Sequence, residues 1–245
     1  EAEALRVLAR THLALRRHEE TVLCAKQALR IFKELGDKPS EKAMVQLTIT
    51  AELQNEDVVK AGPGRAMQTA KEAVDRFREE GDKENEALAL QTVARTHLAK
   101  QEHHRAARVA REAKNILAQL GDTEGEVMML QTAVEAHLGR PDREGRDDAL
   151  QTVVDALSGF REKDNMVGEA KGLHLLAKVY VAKGEPEAAV NVVQDAVLLF
   201  RELGDKKGEA ELLQDIINTS LVQPGLEASD AALRAVKMAL SVCSA

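Results

Sequence analysis

The 245 residues carry a formal charge of -7, with 31% charged, 44% apolar and only 2% aromatic side chains. That balance excludes a general phosphate-binding surface for nucleic acid. It suits a helical protein with an alanine- and leucine-rich core better than an enzyme pocket.

The chain begins "EAEALRVLARTHL", a helical pattern that opens directly without a methionine, so a fragment of a longer protein is expected. From there it returns to one phrase: "FKELGDK" at Phe32, "FREEGDK" at Phe77, "LAQLGDT" at Leu117, "FREKDN" at Phe160 and "FRELGDK" at Phe200. These steps are about 45, 40, 43 and 40 residues, a solenoid period. Approximate units are 1-40, 41-85, 86-125, 126-168, 169-208 and 209-245, each expected to be a helix-turn-helix. In the third, Leu90, Val93, Ala94 and His97 share one face of a first helix. Second helices carry alanines seven apart, at Ala66 and Ala73, Ala106 and Ala113, Ala149 and Ala156, and Ala189 and Ala196, where two backbones can approach closely.

The phrase itself has a physical reading. Phe32, Phe77, Leu117, Phe160 and Phe200 fall in the last turn of a second helix, placed to wedge under the next hairpin. Gly36, Gly81, Gly121 and Gly204 end that helix where a positive φ costs least, and Asp37, Asp82, Asp122 and Asp205 cap the helix that follows. Asp164 and Asn165 replace the Gly-Asp pair in the fourth unit, so a looser or differently angled joint is expected there.

This positional pattern resembles the tetratricopeptide repeat, in its longer-period subclass with a Gly-Asp-x-x-Gly-Glu-Ala junction, as in Pins-type spindle-orientation scaffolds. "LGDKKGEA" at Leu203 and "LGDTEGEV" at Leu120 carry it best. The resemblance covers essentially the whole chain and implies an all-α solenoid of six hairpins, a superhelix with a concave groove. The family's aromatic in the first helix is Tyr180 in the fifth unit, but His12, His97 and His137 in the first, third and fourth, Glu52 in the second and Ser220 in the sixth. Units two, four and six also have longer internal turns, around Pro63, Pro141 and Pro224.

The same resemblance implies that one position of each first helix lines the groove. It is glutamine in four units, Gln46, Gln91, Gln131 and Gln214, and Arg6 and His174 in the other two. Packed helices lie about 10 Å apart and an extended chain advances about 3.3 Å per residue. Each glutamine would therefore meet a ligand's backbone about every third residue, donating to a carbonyl and accepting from an N–H. One turn along, the row reads Arg10, Thr50, Arg95, Glu135, Lys178 and Asn218, whose cations suit acidic residues of a partner. The lysine and asparagine set that clamps a terminal carboxylate in chaperone-binding repeats is not reproduced.

Chemistry is otherwise sparse. His12, His97 and His137 lack a second ligand at i+3 or i+4 and are expected to pack rather than bind metal, while His103 and His104 sit in a polar turn. "AGPGR" at Ala61 lacks the lysine and hydroxyl of a phosphate loop. Cys24 and Cys243 have no metal-binding spacing and suit a reducing, intracellular compartment, cytoplasmic by default. No apolar run is long enough to insert in a membrane. The reading is a non-catalytic scaffold without cofactor or metal that binds protein or peptide segments along its groove. Its alternatives are a structural subunit of a large assembly, touching neighbours through edges and convex faces, and the regulatory arm of a larger enzyme. One end or both are expected to dock onto further repeats or a partner.

Overall fold

The computed structural model describes residues 1–54 and 64–222, and these are helices joined by short turns, with no strand among them. The chain divides into two compact units, Glu1–Leu120 and Gly121–Ala245. The first contains α1 (Ala2–Ala14), α2 (His18–Leu35), α3 (Lys38–Gln54), α4 (Gly64–Glu79), α5 (Lys83–Ala99) and α6 (His103–Leu120). The second contains α7 (Thr123–Leu138), α8 (Arg143–Glu162), α9 (Met166–Lys183), α10 (Pro186–Glu202) and α11 (Lys206–Val222). Each described helix packs on its successor within its unit, and first helices also meet: α1 with α3, α3 with α5, α7 with α9, and α9 with α11.

The hairpin seams are alanine-lined, with Ala73, Ala106, Ala113, Ala149, Ala156, Ala189 and Ala196 all buried. Tyr180 is half-buried against the core of the second unit, and the four phenylalanines are buried. At each, the helix closes with one pair of hydrogen bonds. Gly36 donates to the Lys33 carbonyl (3.2 Å) and Asp37 to that of Phe32 (3.0 Å); Gly81 and Asp82 repeat this with Arg78 (3.2 Å) and Phe77 (2.9 Å), and Gly204 and Asp205 with Arg201 (3.0 Å) and Phe200 (2.8 Å). This geometry requires a left-handed residue, and Gly36, Gly81 and Gly204 have φ of 69°, 71° and 69°. The following aspartate then turns its carboxylate on the next helix, accepting from the amides of Ser40, Asn85 and Gly208 at 3.3, 3.4 and 2.8 Å. Asp122 does the same for Gly125 at 2.9 Å.

The Asp164–Asn165 joint departs from the expectation of looseness. Asp164 itself takes the left-handed conformation, at φ 50°. Asp164 donates to Arg161 (3.1 Å) and Asn165 to Phe160 (2.8 Å), while the Asn165 side chain accepts from Gly168 at 2.9 Å. Every bond of the Gly-Asp joint is retained, because aspartate and asparagine tolerate that region better than other side chains.

First helices close in the same way where the sequence shows no glycine. Arg17 donates to His12 and Glu102 to His97, each at 2.9 Å, with Arg16 and Gln101 at φ 56° and 58°. Tyr180 receives the same bond from Glu185 at 2.9 Å. The histidines at the family's aromatic position thus sit at helix ends. His97 is buried with Nδ1 2.5 Å from Glu102. Its proton affinity lies below the ordinary 6.5, because burial outweighs the carboxylate. Asp82 and Glu86 also lie below the ordinary carboxyl range: burial opposes this, but Lys42 and Asn85 for Asp82, and Lys83 and Arg78 for Glu86, more than offset it. All three groups bind protons more weakly folded than unfolded, so their contribution is present at neutral pH and is lost on acidification. The melting temperature is therefore expected to fall as pH drops below the histidine's ordinary 6.5, and more steeply below the 4.5 of a free glutamate. A flat melting profile between pH 7.5 and 4 would contradict this.

Candidate functional site: the first-helix grooves

In the second unit the facing sides of α7, α9 and α11 enclose a groove of about 710 Å³. Gln131, His174, Lys178 and Gln214 all line it, over an apolar floor that includes Val127 and Leu175. Four residues spread over more than eighty positions are thus brought to one surface, because Gln131, His174 and Gln214 occupy one register of their first helices and Lys178 lies one turn along from His174.

The groove's charges are largely matched within the chain. Asp215 accepts from His174 Nε2 (3.1 Å) and from Lys178 Nζ (3.0 Å), and Gln131 donates its amide to Glu135 at 2.8 Å. Burial holds the His174 imidazole below its ordinary proton affinity against the pull of Asp215.

In the first unit a smaller groove of about 320 Å³ runs between α1 and α3. Arg6, Arg10 and Thr50 line it above Ala43, Met44 and Leu47. Arg6 reaches back to Glu3 at 2.6 Å. On α5, Gln91 is half-buried and Arg95 exposed, and neither lines these two grooves. Gln46 belongs to α3, but its side chain, like that of Asn218, lies outside the described residues.

Two features escaped the sequence reading. The first is a clasp across three of the junctions: Arg78, Arg161 and Arg201, which follow a phenylalanine, reach the glutamate eight residues on, Glu86, Glu169 and Glu209, at 2.9, 2.6 and 2.6 Å. The fixed spacing of eight from a Phe-Arg pair to a glutamate was its signal. The second is the long turn of the fourth unit, which is exposed apart from one side chain. Arg140 is buried there, with Nη1 2.5 Å from Asp148 and Nη2 3.2 Å from Asp142. Gly145 sits so close that a methyl group would lie 2.5 Å from the His137 carbonyl. The turns around Pro63 and Pro224, and Cys243, fall outside the described residues, while Cys24 is a free, half-buried thiol in α2. Among the described residues no group of three histidine, cysteine or carboxylate side chains converges as a metal site, and no helix is long and apolar enough to cross a membrane.

No family model and no curated protein matches the chain. Solved structures do. A Podosopora anserina protein of nearly identical TPR-like repeats superimposes with a TM-score of 0.62 at 15% identity, covering 82% of this chain and 95% of that one. BtubC (BKLC) from P. vanneervenii matches with a TM-score of 0.62 at 17% identity over 93% of this chain and 91% of its own. A STAND signal-transduction ATPase of Pyrococcus horikoshii with a tetratricopeptide repeat sensor gives 0.65 at 15% identity, covering 98% of this chain but 36% of the larger protein. The fold is an all-α solenoid of the tetratricopeptide type.

Proposed function

We propose that this tetratricopeptide-type solenoid is a non-catalytic interaction module that holds extended segments of other proteins along its first helices. Repeat folds of this kind generally mediate protein contacts. The observation that carries the reading here is the second-unit groove, in which Gln131, His174, Lys178 and Gln214 face one open channel. Two glutamines beside an apolar floor offer hydrogen bonds to a ligand's backbone and cover for its side chains.

Peptide display against the full chain tests it. Selected peptides should lose most of their affinity for the Gln131→Ala/Gln214→Ala variant while its helicity by circular dichroism is unchanged. Peptides that bind both proteins equally would remove the groove from the account. A structural-subunit role is the second reading, favoured by exposed Val7 and Leu8 on α1, Leu23 on α2 and Leu15 in the turn between them. The regulatory-arm reading draws on the Pyrococcus protein, whose repeats are described as a sensor joined to an ATPase.

A further inference from the structure

The two units present different charges on their first helices. In the second, Glu135 accepts from Gln131, and Lys178 is held by Asp215. In the first, Arg10 on α1 and Arg95 on α5 are exposed, and neither has an ion pair or side-chain hydrogen bond among the described residues. They occupy one register, inside the verbatim phrase "ARTHLA" that occurs at Ala9 and again at Ala94. Thr50 takes the same place on the intervening helix α3, which packs against both α1 and α5.

We propose that the first unit selects an acidic, extended protein segment through Arg10 and Arg95. The proposal rests on the groove-binding reading but names a different unit and a ligand chemistry. Guanidinium groups bind carboxylates in a paired, directional way, and uncompensated ones gain most from doing so. Arg6, already paired with Glu3, contributes less. Two helix spacings of about 8–10 Å separate the arginines, and an extended chain covers that distance in about six residues. The favoured ligand therefore has acidic side chains about six positions apart. Between them, a small apolar side chain can rest on the Ala43, Met44 and Leu47 floor.

Fluorescence anisotropy with labelled eleven-residue peptides tests this on the full chain. Three probes differ only in two positions: acidic residues six apart, acidic residues three apart, and lysines six apart. The first should bind at least about fivefold more tightly than the others at low salt, and the advantage should shrink as salt rises. Arg10→Ala/Arg95→Ala should abolish that preference. Arg108→Ala/Arg111→Ala, which removes two exposed arginines from α6, should leave it within about twofold. Equal binding of the acidic and lysine probes, or equal loss in both arginine variants, overturns the proposal. Gln131→Ala/Gln214→Ala should not affect the acidic probe. If it alone does, the acidic site fails while the second-unit groove stands.

Discussion

Replacing Phe160 with alanine is expected to lower the unfolding free energy of the second unit by about 3–5 kcal/mol, the usual cost of emptying an aromatic site in a close-packed core. Phe160 has 0% exposure. Its ring lies against Gly168 and Gly172 of α9, and no methyl group fits at position 168 without colliding with it. That contact explains the second glycine of the junction, which provides clearance for the ring of the preceding helix. Gly168→Ala alone should therefore cost about 1–3 kcal/mol through overpacking. The double variant should cost less than the sum, because the new methyl enters the space the ring has left. Denaturation followed by circular dichroism reads all three. Strict additivity would show that ring and glycine are not coupled.

The junction was legible because each of its parts is a residue type with a narrow physical role. Glycine marks a positive φ, aspartate a helix cap, and phenylalanine a wedge too large for any site but a core. Where other residues take those roles the signal disappears. Asp164 adopts the glycine's conformation, and Arg16 and Gln101 do so at ends of first helices. Aspartate at least tolerates that region, but nothing in the arginine or glutamine side chain announces it, since the hydrogen bonds that demand it involve only backbone. The groove was legible in the same partial way. Register placed Gln131, His174, Lys178 and Gln214 on one surface, but not the partners of those side chains. Asp215 reaches Lys178 across 37 positions, and that pairing depends on how closely α9 and α11 pack. Periodicity shows which face a residue occupies, whereas charge compensation between helices needs the packed geometry.

Removing both Arg78 and Lys83 should destabilise the first unit by about 2–3 kcal/mol, because it strands a charge that the fold has already taken out of water. The Glu86 side chain is 2% exposed, and its two oxygens accept from Arg78 at 2.9 Å and Lys83 at 2.7 Å. Both cations are about half exposed, so solvent screens part of their attraction, which puts the expected loss below that of a fully buried pair. The pH dependence separates this cause from lost packing. In the parent the Glu86 carboxyl lies below its ordinary 4.5 despite burial, so the interaction is present at neutral pH and fades on acidification. In Arg78→Ala/Lys83→Ala burial acts almost alone and carries the carboxyl above that value, so the folded variant takes up a proton more readily than its unfolded chain. Its deficit relative to the parent should therefore shrink between pH 7.5 and 4.5, as measured by denaturation midpoints at each pH. A deficit that stays constant would assign the loss to the arginine and lysine stems packed across the junction, and the carboxylate would then be a passenger rather than the reason the clasp is built at this joint.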